Sequence, residues 1–150
     1  MPSFDRSFEV AASLEAVRGF HGSPEALRTL TPPPVIVRLE SFGPMEEGME
    51  AVFTLFVGPL PIRWRARHEN VGSDGFDDVQ VEGPMKAWRH RHRFHAQGPE
   101  RTLIMDHIEY QHRSGFLGVW TRCMFGRPAL ATTFRYRAWA TRKALEKPGP

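Results

Sequence analysis

The segment Glu82–Phe94, Glu-Gly-Pro-Met-Lys-Ala-Trp-Arg-His-Arg-His-Arg-Phe, constrains the fold more than any other stretch of the 150-residue chain. Gly83 and Pro84 turn the chain into a run whose side chains change character at every step. On a strand, successive side chains point to opposite faces. Trp88, His90, His92 and Phe94 therefore share one face, and Arg89, Arg91 and Arg93 the other. Three guanidinium groups in a small core would lack partners, whereas in water their stems can still cover apolar surface. The arginine row faces out and the aromatic and imidazole row faces in. The inward row makes a concave, largely apolar wall with a few polar groups, the usual construction of a small-molecule site.

The rest of the chain supplies the partners of that strand. Phe4, Arg6, Phe8 and Val10 alternate with polar residues as in a half-buried first strand. Ser13 then caps a short helix to about Phe20, and Ser23, Pro24 and Glu25 start a second one. Pro32, Pro33 and Pro34 end it. From Val35 onward, glycine and proline turns separate six strands: 35–40, 49–57, 62–70, 76–82, 87–96 and 101–111. In the third, Ile62, Trp64, Ala66 and His68 oppose Arg63, Arg65, Arg67 and Glu69, repeating the split of the organising stretch. Short connections favour a meander of antiparallel neighbours. The last element, from about Phe116 to Leu145, repeats apolar residues at helical spacing and covers the inward face, and Pro128 should kink or divide it. The expectation is one α+β domain over residues 1–146, followed by a flexible tail, 147–150.

Composition narrows the function classes. The net charge of +3, from 20 basic and 17 acidic residues, is too small to argue for nucleic acid. A lone cysteine, Cys123, excludes an internal disulfide framework and fits a reducing compartment. The charged N-terminal segment is no signal peptide, and no run approaches the ~20 apolar residues of a membrane span. These features point to a cytoplasmic protein without membrane insertion.

The order strand, two helices, six strands, long helix, and the local motifs within it, resemble the START-like or SRPBCC superfamily. More narrowly, the chain resembles its bacterial ligand-binding branch, related to polyketide cyclase/dehydrase-like proteins. The matching residues are Leu30, Thr31, Pro32 and Pro33; Gly48; Trp64 and His68; Asp78, Gln80, Gly83 and Pro84; Trp88, His90, His92 and Phe94; and Asp106 with Tyr110. The resemblance implies a helix-grip fold, a curved antiparallel sheet of about seven strands wrapped around a long C-terminal helix, with a deep hydrophobic cavity between them. It carries over no catalytic signature. It allows an epimerase or reductase-like partner; the sequence itself leaves a homodimer open.

The candidate ligand-binding residues are Trp64, His68, Gln80, Trp88, His90, His92, Phe94, Asp106, Tyr110 and Trp120. Cross-strand neighbours on one face lie ~5 Å apart, so the inward rows can converge on a hydrophobic or aromatic small molecule. The alternative is a filled core in which the histidines bond to backbone or buried water. Asp106 with His90 or His92 can form an acid–base pair for dehydration or ring closure, or Asp106 can orient a histidine structurally. His90 and His92, with His68 or Glu82, have the directions of a strand metal site. The early and late helices argue against a metal-binding cupin barrel, and no cofactor is expected. The outward arginines read as a solvated, salt-bridged face.

Overall fold

The computed structural model describes residues 1–146; the tail expected at 147–150 lies outside them. Strand β1 (Ser3–Val10) leads into α1 (Leu14–His21) and α2 (Pro24–Thr29). Then come β2 (Ile36–Phe42), β3 (Glu50–Val57), β4 (Leu60–Gly72), β5 (Gly75–Glu82), β6 (Ala87–Gly98) and β7 (Arg101–Gln111). Helices α3 (Gly115–Phe125) and α4 (Arg127–Leu145) close the chain.

The seven strands form one antiparallel sheet in the order β1-β7-β6-β5-β4-β3-β2. It is the expected meander, with the first strand added beside the last. Strict alternation shows in the burial of β7, where Thr102, Ile104, Asp106, Ile108 and Tyr110 all face in. The inner face packs on α4 through Leu130, Phe134 and Ala138, and Phe134 meets Phe4 with ring centroids 5.5 Å apart.

Helix starts follow the expected chemistry in part. The Ser13 hydroxyl accepts the Ala16 amide at 3.1 Å, relieving one of the unpaired donors of a helix N-terminus. Ser23 occupies the equivalent position of α2 but donates to the Phe20 carbonyl instead, so proline at the first turn carries that start. The final helical element is divided. The break lies at Gly126, whose backbone is extended, and Pro128 sits in the first turn of α4, where its missing amide costs nothing.

The outer face is the salt-bridged surface the alternation implied. Asp77 is fully buried there beneath arginine stems, with Arg89 Nη1 at 2.7 Å, Arg93 Nη2 at 2.8 Å and Asn70 Nδ2 at 2.9 Å. Burial disfavours its charge, but these donors outweigh burial and hold its pKa below the usual carboxylate value. Arg89 also reaches Glu69 at 3.0 Å, and Arg91 reaches Glu109 at 3.2 Å. The helical layer differs: residues 111–146 contain seven arginines and lysines and a single acid, Glu146.

Glycine is required at one point beside the inner face. Gly75 has φ +141°, and a Cβ there would lie 1.9 Å from the His92 carbonyl oxygen. Its absence lets β5 approach β6 closely enough for Phe76 to stack on His92 at 4.4 Å.

Candidate functional site

Between the sheet and the helices lies a cavity of about 240 Å³. Its sheet wall includes Phe53, Ile62, Trp64, Ala66 and Trp88, and its helix wall Leu27, Leu30, Met124, Phe125, Leu130 and Phe134. Trp64 organises the apolar end, stacked near-parallel to Phe53 at 6.2 Å and edge-on to Trp88 at 5.5 Å and Phe125 at 5.7 Å. Offset and edge-to-face geometries are those aromatic quadrupoles favour.

The other end is polar and built by strand register. His68 on β4 pairs with Asp78 on β5, and Asp78 with His90 on β6. One step along, His92 pairs with Asp106 on β7. Each carboxylate also reaches diagonally. His68 Nδ1 lies 2.7 Å from Asp78 Oδ1 and His92 Nε2 lies 3.0 Å from Asp78 Oδ2, while His90 Nε2 lies 2.7 Å from Asp106 Oδ1. A carboxylate only accepts, so each of these ring nitrogens donates. His92 Nδ1 stands 3.3 Å from Asp106 without a well-aligned hydrogen bond, and His68 Nε2 is buried without a partner.

This network separates neighbouring imidazoles electrically, although the rings of His90 and His92 are only 3.8 Å apart. Burial works against charge on His92, but its two carboxylate neighbours, Asp106 and Asp78, prevail and raise its pKa. His90 is pushed down to about 4, by burial first and by the charge of His92 second. His21, at the end of α1, is likewise lowered to about 4 by burial and His92, and its Nδ1 donates to the Val17 carbonyl at 2.9 Å. Burial also disfavours the charged carboxylates, yet bonding to His68 and His92 keeps Asp78 well below its usual range, and the bond from His90 with the nearby imidazole of His92 does the same for Asp106. Ligand atoms of His90, His92 and Asp106 lie within 4.8 Å of one another, close enough to converge on a cation. The expected third ligands are elsewhere: Glu82 is exposed and pairs weakly with Arg63 and Arg65, and His68 is tied to Asp78.

No family model matches the chain, and no curated protein is significantly similar to it in sequence. Solved structures do match. A START superfamily protein from Mycobacterium smegmatis superposes with a TM-score of 0.71 at 14% identity, covering 96% of this chain and 97% of its own. The Zhui aromatase/cyclase from Streptomyces sp. R1128 gives 0.68 at 16% identity, with 99% of both chains covered. Ginseng major latex-like protein 151 from Panax ginseng gives 0.71 at 10% identity, covering 97% of this chain and 98% of its own. The chain has the helix-grip fold of the START superfamily.

Within this helix-grip frame, five of the ten candidate residues line the cavity: Trp64, His68, Trp88, His90 and His92. The other five lie off its wall. Asp106 is behind the histidines it holds. Gln80 turns to the backbone of Met85, donating at 2.9 Å and accepting at 3.1 Å, because the tight turn after β5 needs both bonds. Phe94 packs in a separate cluster with Phe8, Val17 and Ile104. Tyr110 is core beside Trp88, and Trp120 stays outside the cavity with its ring 6.4 Å from Phe125. The other titratable residues of the wall, His21, Asp78 and Arg137, are not among those candidates. Among the described residues no helix is long and apolar enough to cross a membrane.

Proposed function

We propose that this protein binds a small hydrophobic or aromatic molecule in the cavity between the sheet and its C-terminal helices. The supporting observation is a space of about 240 Å³ with aromatic walls at one end and a hydrogen-bonded histidine–carboxylate network at the other. Apolar cavities of roughly 150 Å³ accept benzene, so this one suits a ligand of one or two rings or a short chain. The apolar body would lie against Trp64, Trp88 and Phe125, and the polar end against His68, His90 and His92. Native mass spectrometry of the purified protein, followed by denaturing extraction, tests the reading. A stoichiometric apolar passenger, or a Tm that climbs with the concentration of a hydrophobic probe, supports it. An empty protein that ignores a broad apolar library overturns it in favour of an interaction module with a filled core.

A second reading, acid–base chemistry such as cyclisation or dehydration in the same cavity, draws on the adjacent rings of His90 and His92, 3.8 Å apart, whose pKa values are displaced in opposite directions. Pairs of adjacent groups pushed apart in pKa are how one site holds an acid and a base together. The similarity to an aromatase/cyclase points the same way. Turnover of a polyketide-like substrate that disappears in His92→Asn while binding persists would favour it over carriage alone.

A further inference from the structure

Helix α4 brings one cation to the cavity. Arg137 lines it one turn beyond Thr133, so both project from the same strip of the helix. The guanidinium rests over the Phe134 ring, 5.0 Å from its centroid. Among the described residues it has no hydrogen-bond partner and no carboxylate within 4.0 Å, and the Thr133 hydroxyl likewise has no hydrogen bond. The nearby carboxylates are committed elsewhere: both Asp78 oxygens receive imidazole donors, and Asp106 holds His90 with His92 beside it.

A guanidinium has five donors and no acceptor, and a charge taken from bulk water is costly until paired. We infer that the ligand is a hydrophobic or aromatic monocarboxylic acid whose carboxylate is held by Arg137, with Thr133 as an additional donor. This rests on the cavity-binding reading above and names its substrate class. Carboxylate matches the planar fork bidentately. A monoanion fits better than a phosphate dianion, because among the described residues Arg137 is the one arginine or lysine on the cavity wall and both ring nitrogens of His92 already face Asp78 and Asp106. The position agrees with the electrostatics: burial depresses the Arg137 pKa, while Asp106 and Asp78 pull it back only at long range. The cavity volume excludes a two-chain lipid and leaves space for an arene or short alkyl body.

The experiment compares 1-naphthoic, octanoic and decanoic acids with their methyl esters, using protein stripped of passengers by denaturation and refolding. Titration calorimetry on the wild type should show an acid binding at least ~10-fold more tightly than its ester, as a charge-assisted bond implies. Arg137→Met should bring acid and ester to within about 3-fold, by weakening the acid more than the ester. The empty variant should melt no lower than the wild type, since the guanidinium it loses is half-buried and makes no hydrogen bond among the described residues. If Arg137→Met does not fold, Arg137→Lys replaces it: charge without the planar fork should weaken the acid several-fold more than the ester. Esters that bind the wild type as well as acids, or an acid preference unchanged by either variant, would overturn the assignment and leave the cavity reading standing. If neither acids nor esters bind, the cavity reading falls and this assignment falls with it.

Discussion

His90 Nε2 lies 2.7 Å from Asp106 Oδ1, with both side chains almost wholly sealed from solvent. The bond makes Asp106 a support for the site from behind its wall. Asp106→Asn keeps an acceptor for His90 but removes the negative charge that helps raise the His92 pKa. The expected result is a downward movement of the His92 titration and a loss of about 1–3 kcal/mol in stability. Histidine proton NMR across pH and urea unfolding measure the two effects; an unmoved His92 would contradict the arrangement.

Stability should depend on pH in a defined window. His21 and His90, lowered to about 4, stay neutral in the folded protein, whereas the unfolded chain protonates near the ordinary value of 6.5. Stability from these groups is complete above about pH 6.5 and declines as the pH falls towards 4, on the order of 2–3 kcal/mol for each. The groups facing them include His92, Asp106 and Arg137. His92 acts in the opposite direction: its raised pKa favours folding below the ordinary value, and that contribution is lost as the pH rises through the folded value. Chemical unfolding at a series of pH values should therefore show a loss towards pH 4 from His21 and His90, and an opposing loss from His92 as the pH rises from the ordinary value of 6.5. His90→Asn should flatten the acid side.

Gly75→Ala should be among the most damaging single-methyl changes in the chain. The added carbon would strike the His92 carbonyl, and the positive φ adds strain of its own. A loss of about 3 kcal/mol or more is expected. Equilibrium unfolding measures it, and a change below 1 kcal/mol would show that β5 can retreat from β6 at roughly no cost.

Trp64→Ala tests the apolar end by enlargement. Removing a side chain that touches Phe53, Trp88 and Phe125 should cost about 3–5 kcal/mol. Some of that loss should return on adding naphthalene, which can fill the new space, so the rise in Tm should be greater for the variant than for the wild type. Equal responses would place the probe elsewhere.

Much of the fold was legible because strands reveal their faces by alternation. Arg89, Arg91 and Arg93 fixed the orientation of β6, and the close spacing of turns led to the meander. The missed wall residues carried signals of the same kind. Gln80 is a candidate for the inward rows, and Asp78 stands two residues before it on β5, hence on the same face. Arg137 falls within the buried stripe of Leu130, Phe134, Ala138 and Thr141, where a charge is conspicuous. His21 follows the buried Val17 by one helical turn. Alternation could not show depth along a strand. Phe94 and Tyr110 face inward as expected, yet Phe94 packs with Phe8, Val10 and Val17, and Tyr110 with Phe4 and Trp88, off the cavity wall. Nor could it anticipate that Gly126, with its unrestricted backbone, would take the break between the last helices one residue before a proline-bearing first turn.

The single acid among residues 111–146 gives the molecule a polarity that its modest net charge conceals. Residues 1–110 sum to −4 and residues 111–146 to +6, so the sheet with its two small helices opposes a cationic helical layer. Such a separation is an electric dipole, and in an external field it exerts a torque. On approach to any negatively charged body, α3 and α4 turn to face it first. At low ionic strength the protein should bind a cation exchanger more strongly than its formal charge suggests, and added salt should erase the excess as the Debye length shrinks below the thickness of the domain.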